Sequence, residues 1–417
     1  IAETDNADAA FLAFDRLVAK LPAGVQLFSL LVSNPQLLTL LTQIMGAAPK
    51  LSETIGRRPR VLDALMEPAF YDVVPDAAEL DRRLAESFAE ARDYEDILDR
   101  ARIFGQEQIF LVGVRILTGT LSAAQAGRAH AALAEVMVRR LLAAVEAEFA
   151  RAHGRVAGGA CVVVALGKLG GREMTASSDL DLMLLYDHDP DCDASDGAKP
   201  LAPSQYYIRL TQRLVAALSA PTAQGLLYEV DFRLRPSGNK GPMATRLVAF
   251  RTYHAEEAWT WEHMALTRAR VIAGDPGFAT TVEGAIRDVL VAPRDADKLR
   301  ADVVEMRGLI AEEKGTKDPW DIKQIAGGLV DVEFVAQYLM LRHAPEHPEV
   351  LATGTIPALT RLAEAGLLDA TTAEVLIPAM RLYQGLTQAL RMASDGAFRP
   401  KEAPRGLVDL LARIGEL

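Results

Sequence analysis

The sequence predicts an α+β fold in which helices predominate and a small sheet with its own helices lies between two helical regions. Hydrophobic residues make up 50% of the 417 residues, which is enough for sizeable cores. Aromatic residues make up only 6%, and the abundance of Ala and Leu favours helix. Strand-like runs are confined to the middle of the chain, at 161–168, 179–187 and 225–236.

Residues 1–155 are predicted to form the first helical region. Short amphipathic stretches bounded by Pro and Gly come first, and runs with apolar residues three or four positions apart follow from Asp76 to Leu121. The next run opens on Ser122, a residue type that caps helix starts, and closes at Gly154. The charged faces of these helices are expected to be solvated surface without a catalytic role.

Residues 156–290 are predicted to form one compact unit of strands and helices, because a helical run at 203–220 separates the second and third strands. This unit is the predicted catalytic core. Residues 295–417 are predicted to form a C-terminal helical bundle. A chain of this length accommodates two to four structural units. The sequence starts on Ile1 and a polar segment, which favours its being part of a longer protein.

Bulk properties disfavour several classes of protein. The formal net charge of −11 disfavours nucleic acid as the main partner. Two cysteines, Cys161 and Cys192, do not make a disulfide framework or a thiolate metal site, and they fit a reducing cytoplasm. The longest apolar run, 161–166, is strand-sized, and no signal peptide is visible. We therefore expect a cytoplasmic protein that binds no nucleic acid and no membrane.

The run "SSDLDLMLLYD" at 177–187 contains the first candidate for chemistry. Side chains alternate along a strand, so Asp179 and Asp181 share one face, roughly 7 Å apart, while leucines and Tyr186 occupy the other face. Two neighbouring carboxylates repel each other, and burying either one unpaired is costly. A divalent cation removes both problems, and Mg²⁺ prefers such hard oxygen ligands.

The run "LYEVDFRLRP" at 227–236 repeats this pattern. As a strand, it would place Glu229, Asp231, Arg233 and Arg235 on one face, opposite a clean apolar face. If it lies beside the first acidic strand, Asp231 becomes a third metal ligand. The two arginines could bind phosphates bidentately. Together the strands predict a site of metal-assisted phosphoryl or nucleotidyl transfer.

A glycine turn precedes the acid pair, in "ALGKLGGREMTASSDLD". Glycines allow backbone N–H groups to approach a phosphate closely, while nearby cations and hydroxyls add positive charge and donors. The phosphate-binding and nucleotide-binding candidates of this stretch are Gly167, Lys168, Gly170, Gly171, Arg172, Ser177 and Ser178. The spacing is that of neither a P-loop nor a dinucleotide-binding fingerprint.

Each of these signals has a plain structural alternative. A lone glycine turn is usually only a turn, and a lone pair of acids is often surface. Their occurrence in order, with the acid-and-arginine strand about fifty residues later, favours a metal–nucleotide site.

The acidic run 187–197 lacks the glycine and glutamate of a calcium loop and is predicted to be a solvated loop. His343 and His347 straddle Pro345, which disfavours a zinc site.

Two further groups of charged residues have plain structural explanations. Asp331 and Glu333 are predicted to stabilise a helix start. Arg268 and Arg270 are weaker phosphate candidates, with surface arginines as an equal alternative.

The ordered motifs "LGKLGG", "SSDLDL" and "VDFRLRP" resemble those of DNA polymerase β-type nucleotidyltransferases, which implies that fold for the core. Lys168 departs from that pattern, since a second Gly or a Ser is common there. Together with "YYIRLTQRLVAAL", "AWTWEHMALTRARVIAGD" and "DIKQIAGGLVDVEFVAQYLMLRHA", the motifs are similar to the bifunctional glutamine synthetase adenylyltransferase family over most of the chain.

That family has two related halves, of which the amino-terminal one removes AMP and the carboxy-terminal one adds it. Only one acid-pair motif occurs here, and "TASSDLDL" and "WTWEHMALTRAR" are more similar to the adenylylating half. The resemblance therefore implies transfer of AMP from ATP to a tyrosine hydroxyl of glutamine synthetase, with release of pyrophosphate. The alternatives are the deadenylylating, phosphorolytic half and a catalytically silent docking or sensor module.

The resemblance also implies the roles of the site residues. Asp179, Asp181 and Asp231 would hold two Mg²⁺ ions roughly 4 Å apart, and Asp231 would help to take the tyrosine proton. Phosphate contacts are expected from Lys168, Arg172, Arg233 and Arg235. PII signal protein and glutamine are the implied regulators.

Overall fold

The computed structural model describes residues 7–20, 31–66, 70, 74–393 and 405–415. The N-terminal helical region comprises α1 (Ala7–Lys20), α2 (Pro35–Ala47), α3 (Pro49–Arg57), α4 (Val61–Leu65), α5 (Ala77–Ala89), α6 (Tyr94–Leu117) and α7 (Ala123–His153). Ser122 and Gln125 form a capping box at the start of α7, and Gly154, at a φ of 69°, ends it. Both ends of this helix agree with the prediction.

A five-stranded mixed sheet follows. Its strands are β1 (Ala160–Ala165), β2 (Leu180–Asp187), β3 (Val230–Asp231), β4 (Ala244–Arg246) and β5 (Arg270–Gly274). The strand order is β3-β2-β1-β5, and β4 also pairs with β2. β1 is antiparallel to β2 and β5, whereas β3 and β4 are parallel to β2. The starts of β2 and β5 therefore lie at the same end of the sheet, on either side of the end of β1.

Apolar side chains on both faces hold β2 in the middle of this sheet. Leu182 and Leu184 belong to a core shared with α7 and the helix that follows β2, whereas Met183 and Leu185 belong to a second core on the opposite face. Burying such side chains stabilises a strand by roughly 1.5–3 kcal/mol each. The strand is thereby fixed in register, and its carboxylates lie only at its two ends, at Asp181 and Asp187.

The remaining helices cover the sheet and form the C-terminal region. Those of the core are α8 (Gly167–Gly170), α9 (Pro203–Ser219), α10 (Leu247–Glu256), α11 (Thr260–Leu266) and α12 (Pro276–Val291). The C-terminal helices are α13 (Ala296–Lys314), α14 (Leu329–His343), α15 (Thr355–Glu364), α16 (Ala370–Ala393) and α17 (Arg405–Gly415). Short 3₁₀ turns occupy Gly238–Lys240 and Pro348–Val350. No helix among the described residues is both long and apolar enough to cross a membrane.

The two ends of the chain share one hydrophobic core. Ala389 and Met392 of α16 and Leu407 of α17 pack with apolar residues of α1 to α4 and α6. A separate core joins α14, α15 and α16. The C-terminal helices therefore do not form an isolated bundle, because α16 takes part in both cores.

The third predicted strand is much shorter than expected. Only Val230 and Asp231 pair with β2, and the chain then turns. The Asp231 carboxylate accepts the backbone N–H of Arg233 at 2.7 Å, and this local bond competes with continued extension. The prediction that Arg233 and Arg235 alternate along one strand face with Asp231 is therefore wrong.

Candidate metal and nucleotide site

Three carboxylates meet where β2 and β3 begin to pair. The parallel register places Asp181 directly opposite Asp231, and the N–H of Leu180 donates to the carbonyl of Glu229 at 2.9 Å. Asp179 lies one residue before β2. One oxygen from each of the three aspartates lies within 4.8 Å of the others. Asp179 is exposed and the other two are half-buried, so the cluster opens to solvent at one side.

The cluster is electrostatically strained. Burial raises the pKa of Asp181 to about 6, and the charges of Asp179 and Asp231 add to that increase. Burial also acts to raise the pKa of Asp231, but hydrogen bonds from Arg233 outweigh it and hold that pKa below its usual value. Close carboxylates of hard oxygen character, with a raised pKa at the most buried one, fit a divalent cation such as Mg²⁺.

The glycine turn lies against this cluster. β1 ends at Ala165, and the next residue, Leu166, donates its N–H to the carbonyl of Asp181 at 2.9 Å. Gly167 follows with a φ of 51°, and a Cβ placed there would lie 1.9 Å from Oδ2 of Asp181. A side chain at this position would therefore displace a candidate metal ligand. The turn can bring backbone next to the acids only because it has a glycine here.

Gly170 and Gly171 have a packing reason of their own. A Cβ on Gly170 would lie 1.9 Å from the carbonyl oxygen of Arg268, and one on Gly171 would lie 2.3 Å from its guanidinium. Both glycines are buried. They allow the segment before β5 to approach the turn closely, and this packing alone explains why both residues are glycines. Their place in a nucleotide pocket stays a prediction.

The candidate cations lie in two different clefts. Arg233 lines a cleft of about 460 Å³ together with Asp179 and Asp231. Lys168 and Arg172 line a larger cleft of about 1830 Å³ between the N-terminal helices, the glycine turn and the C-terminal helices. The sequence pattern had placed all of these residues around one phosphate chain.

The environments of the cations differ as well. The exposed Arg233 donates from Nε to Asp231 at 2.7 Å. Burial, and then the nearby charge of Lys323, lowers the pKa of Lys168. Among the described residues, no group accepts a hydrogen bond from the Lys168 ammonium, so its donors are available to a ligand. The exposed Arg172, at a φ of 57°, places Nε 3.8 Å from the carboxylate of Glu135.

Arg235 is buried and its donors are in use. Its guanidinium donates to the carbonyls of Phe232 at 2.5 Å and Pro242 at 3.0 Å, and also reaches that of Gly241. These bonds hold the loop that follows β3. A phosphate contact from Arg235 would require the loop to open, and we do not retain it among the proposed phosphate ligands.

The two serines before the acids differ from each other. The hydroxyl of Ser178 accepts the N–H of Thr175 at 2.9 Å and lies 3.0 Å from the Thr175 hydroxyl, so it stabilises the loop. Ser177 is exposed. Of the two, Ser177 is the one whose hydroxyl remains open to a ligand.

Arg268 and Arg270 are neither surface residues nor free phosphate ligands. Arg268 is only 5% exposed and pairs with the carboxylates of Glu173 and, at 2.6 Å, Glu333. Arg270 pairs with Glu135 at 2.5 Å and donates to the carbonyl of Leu169 at 3.1 Å. The sequence predicts either surface arginines or phosphate ligands. In the structure, both arginines instead form ion pairs inside the protein.

Two charged residues near the site were not identified as such from the sequence. Glu333 forms an ion pair with Arg268, so its role is not limited to the predicted interaction with the helix dipole. The charge of Lys323, in the turns before α14, acts on both Asp181 and Lys168. Neither contact follows from sequence spacing, since both join segments far apart in the chain.

Comparison with known proteins places the chain in a family. A sequence model of the family described as Glutamate-ammonia ligase adenylyltransferase matches residues 38–285. The chain belongs to this family. A second model, described as GlnD PII-uridylyltransferase, matches residues 297–398. The first match contains the acid cluster and the glycine turn, and the second contains Glu333 and Lys323.

Relatives of the family include proteins named bifunctional glutamine synthetase adenylyltransferase/adenylyl-removing enzyme. The chain is 52% identical over 416 residues to the one from Mesorhizobium japonicum and 52% identical over 417 residues to the one from Brucella melitensis. It is 54% identical over 418 residues to the one from Xanthobacter autotrophicus. Each match covers 100% of this chain and 42% of the relative. The chain thus spans less than half the length of these relatives.

Proposed function

We propose that this chain transfers AMP from ATP to a tyrosine hydroxyl of glutamine synthetase and releases pyrophosphate. The observation that carries the proposal is the meeting of three carboxylates, from two paired strands, within 4.8 Å of one another. Membership of the family supplies the substrate class, because the relatives are named as enzymes that add AMP to glutamine synthetase or remove it.

Mg²⁺ is the proposed cofactor, and Asp179, Asp181 and Asp231 are its proposed ligands. When bound, Mg²⁺ would neutralise phosphate charge and lower the pKa of the incoming tyrosine hydroxyl, ordinarily about 10. The donor set supports this, since it consists of hard oxygens that repel one another when no cation is present. Two ions are proposed, as the three carboxylates offer six oxygens between them.

The cations of the chain would hold the triphosphate. The free donors of Lys168 and the exposed guanidinium of Arg172 support a role in one cleft, and the exposed guanidinium of Arg233 supports a role in the other. Gly167 would bring backbone beside the nucleotide. These cations line two different clefts, so ATP would have to span the region between the clefts to contact all of them.

Arg233 offers a way to couple nucleotide binding to proton transfer. It donates three hydrogen bonds to Asp231, one from its backbone N–H and two from its guanidinium, and they depress the pKa of that carboxyl. Movement of the Arg233 side chain to a phosphate oxygen would remove the two guanidinium bonds and raise the pKa of Asp231. Asp231 would then be a better acceptor for the tyrosine proton.

The direction of the reaction is tested with ATP labelled at the α-phosphate. Incubation of the chain with unmodified glutamine synthetase, Mg²⁺ and this ATP should transfer label to the protein. In parallel, adenylylated glutamine synthetase is incubated with phosphate. Release of ADP there, without any label transfer in the first reaction, would assign the chain to the deadenylylating half. Neither product, with intact folding, would favour a silent docking module.

The proposed regulators are PII signal protein and glutamine, and the proposed compartment is the cytoplasm. Both follow from family resemblance, and no residue of the chain is assigned to either regulator.

A further inference from the structure

The loop from Gly171 to Asp179 connects the glycine turn to the first metal-site carboxylate. Its middle is held by the C-terminal helices. Glu173 accepts the backbone N–H of Thr355 at 2.8 Å and lies 3.2 Å from the Thr355 hydroxyl, at the first residue of α15. The side chain of Gln388, in α16, donates to the carbonyl of Met174 at 2.7 Å. Two consecutive loop residues are thus fixed by two helices that lie far along the chain.

Arg268 adds a third attachment and connects it to α14. Its guanidinium lies between Glu173 on the loop and Glu333 on α14 and pairs with both carboxylates. The three side chains are only 6%, 11% and 18% exposed. Charged groups that are removed from water keep their places only while their partners remain. The absence of a side chain at Gly171 lets the guanidinium lie directly against the loop backbone.

The sheet explains why this attachment bears on the acids. The turn that follows β1 lies between the starts of β2 and β5, because β1 is antiparallel to both. One end of the turn contacts Asp181 through Gly167, and the other contacts Arg268 through Gly170 and Gly171. A displacement of Arg268 would therefore move the same backbone that lies against a candidate metal ligand.

We propose that Arg268 and Glu333 are positioning residues, which join the C-terminal helices to the loop that carries Asp179 and thereby set the distance between the three carboxylates. This rests on the proposed function. Neither residue touches the reacting atoms. Their effect is on geometry, and a misplacement of about 1 Å at a reacting centre can cost about 10²-fold in rate.

The test compares Glu333→Ala with Asp331→Ala. Asp331 lies on the same helix, two residues earlier, and its half-buried carboxylate pairs with Arg307 and accepts the backbone N–H of Gly327 at 2.6 Å, with no contact to the loop from Gly171 to Asp179. Both substitutions remove one acid of an ion pair from α14, so they should lower the unfolding temperature by similar amounts. Kinetics are measured well below both midpoints. Glu333→Ala should lower kcat for AMP transfer by about tenfold with KM for ATP within about twofold, and Asp331→Ala should leave both constants unchanged.

A second readout does not depend on activity. Amide hydrogen exchange of a peptide spanning 172–179 should be faster in Glu333→Ala than in the wild-type chain, by about tenfold, and unchanged in Asp331→Ala. If the wild-type chain transferred no AMP but the exchange difference appeared, the proposed function would fail and the attachment would stand. Equal kcat and equal exchange in the two variants would overturn the positioning role. Should Glu333→Ala not fold, Glu333→Gln keeps the shape and one acceptor, and about threefold effects in the same direction are expected.

Discussion

Two clusters of charge lie at the same end of the sheet and are built in opposite ways. At the start of β2, Asp179, Asp181 and Asp231 place like charges together, with a raised pKa at Asp181. Before β5, the positively charged Arg268 lies between two negatively charged glutamates, Glu173 and Glu333. The mixed-charge cluster, in which one cation bridges two carboxylates, is what a protein uses to hold segments together. The like-charge cluster is tolerated at a cost in stability, and such costs are typical of sites that await a ligand.

The largest effect is expected from breaking the mixed-charge cluster. Arg268→Met leaves Glu173 and Glu333 without their shared cation, and removing one partner of a buried ion pair costs about 3–5 kcal/mol. Urea unfolding should therefore show a loss of that size in the free energy of unfolding. A loss below about 1 kcal/mol would mean that water reaches these charges, and the contrast between the clusters would not hold.

The opposite result is expected from the like-charge cluster of aspartates. Asp181→Asn should lower AMP transfer by at least about 10²-fold, the scale for losing one preorganised electrostatic partner. Stability should hold or rise, because a repulsive charge is removed. Asp179→Asn should behave in the same way. The measurements are the initial rate of label transfer and the unfolding midpoint of each variant.

Asp187→Asn is the control for this prediction. Asp187 ends the same strand, but it pairs with Arg246 at 2.8 Å and lies away from the cluster. Its substitution should leave the transfer rate within about twofold, since exposed ion pairs contribute little. Wild-type activity in both Asp179→Asn and Asp181→Asn would show that the acids are not metal ligands for this reaction.

A smaller effect is expected at the glycine turn. Gly167→Ala places a Cβ against Oδ2 of Asp181 and should lower the transfer rate by about tenfold through displacement of that carboxylate. It should also lower stability by about 1–2 kcal/mol, because its φ is positive. Gly366→Ala is the matched control, with a φ of 70° and open space around its Cβ. It should show the stability loss alone; an equal rate loss in both variants would refute the contact.

The last effect concerns pH. The pKa of Asp181 is about 6 in the folded chain, raised from 3.8, so between these values the folded state holds a proton that the unfolded state has lost. The contribution of Asp181 to stability therefore falls as pH rises from about 4 to about 6 and is constant above that. Unfolding in EDTA should show this fall in the wild-type chain relative to Asp181→Asn. Saturating Mg²⁺ should abolish it, since the cation favours the ionised carboxylate; a stability difference that rises with pH in EDTA would contradict it.

The parts of the structure that local sequence determines were predictable. Strand β2 alternates between two buried apolar faces, and the same alternation places Asp181 of the strand together with Asp179 just before it. The ends of α7 follow from Ser122 and Gly154, whose capping roles depend on immediate neighbours. Asp231 could be proposed as the third carboxylate because its strand repeats the same pattern.

The parts that depend on distant contacts were not predictable. Arg268 meets partners 95 and 65 residues away in the sequence, so spacing could not distinguish an internal ion pair from a phosphate ligand. The strand after Tyr228 ends early because the Asp231 side chain accepts a hydrogen bond from the backbone N–H of Arg233. The alternation of polar and apolar residues cannot predict such a hydrogen bond. β4 and β5, with three and five residues, are too short for a clear pattern.

Divalent-metal binding at the three aspartates tests the central claim most directly. Mn²⁺ is titrated into the wild-type chain, Asp181→Asn and Asp187→Asn, with a non-hydrolysable ATP analogue present, and bound Mn²⁺ is measured by electron paramagnetic resonance. The account predicts saturable binding in the wild-type chain and in Asp187→Asn, and an affinity at least about tenfold weaker in Asp181→Asn. Equal affinity in all three proteins would contradict it.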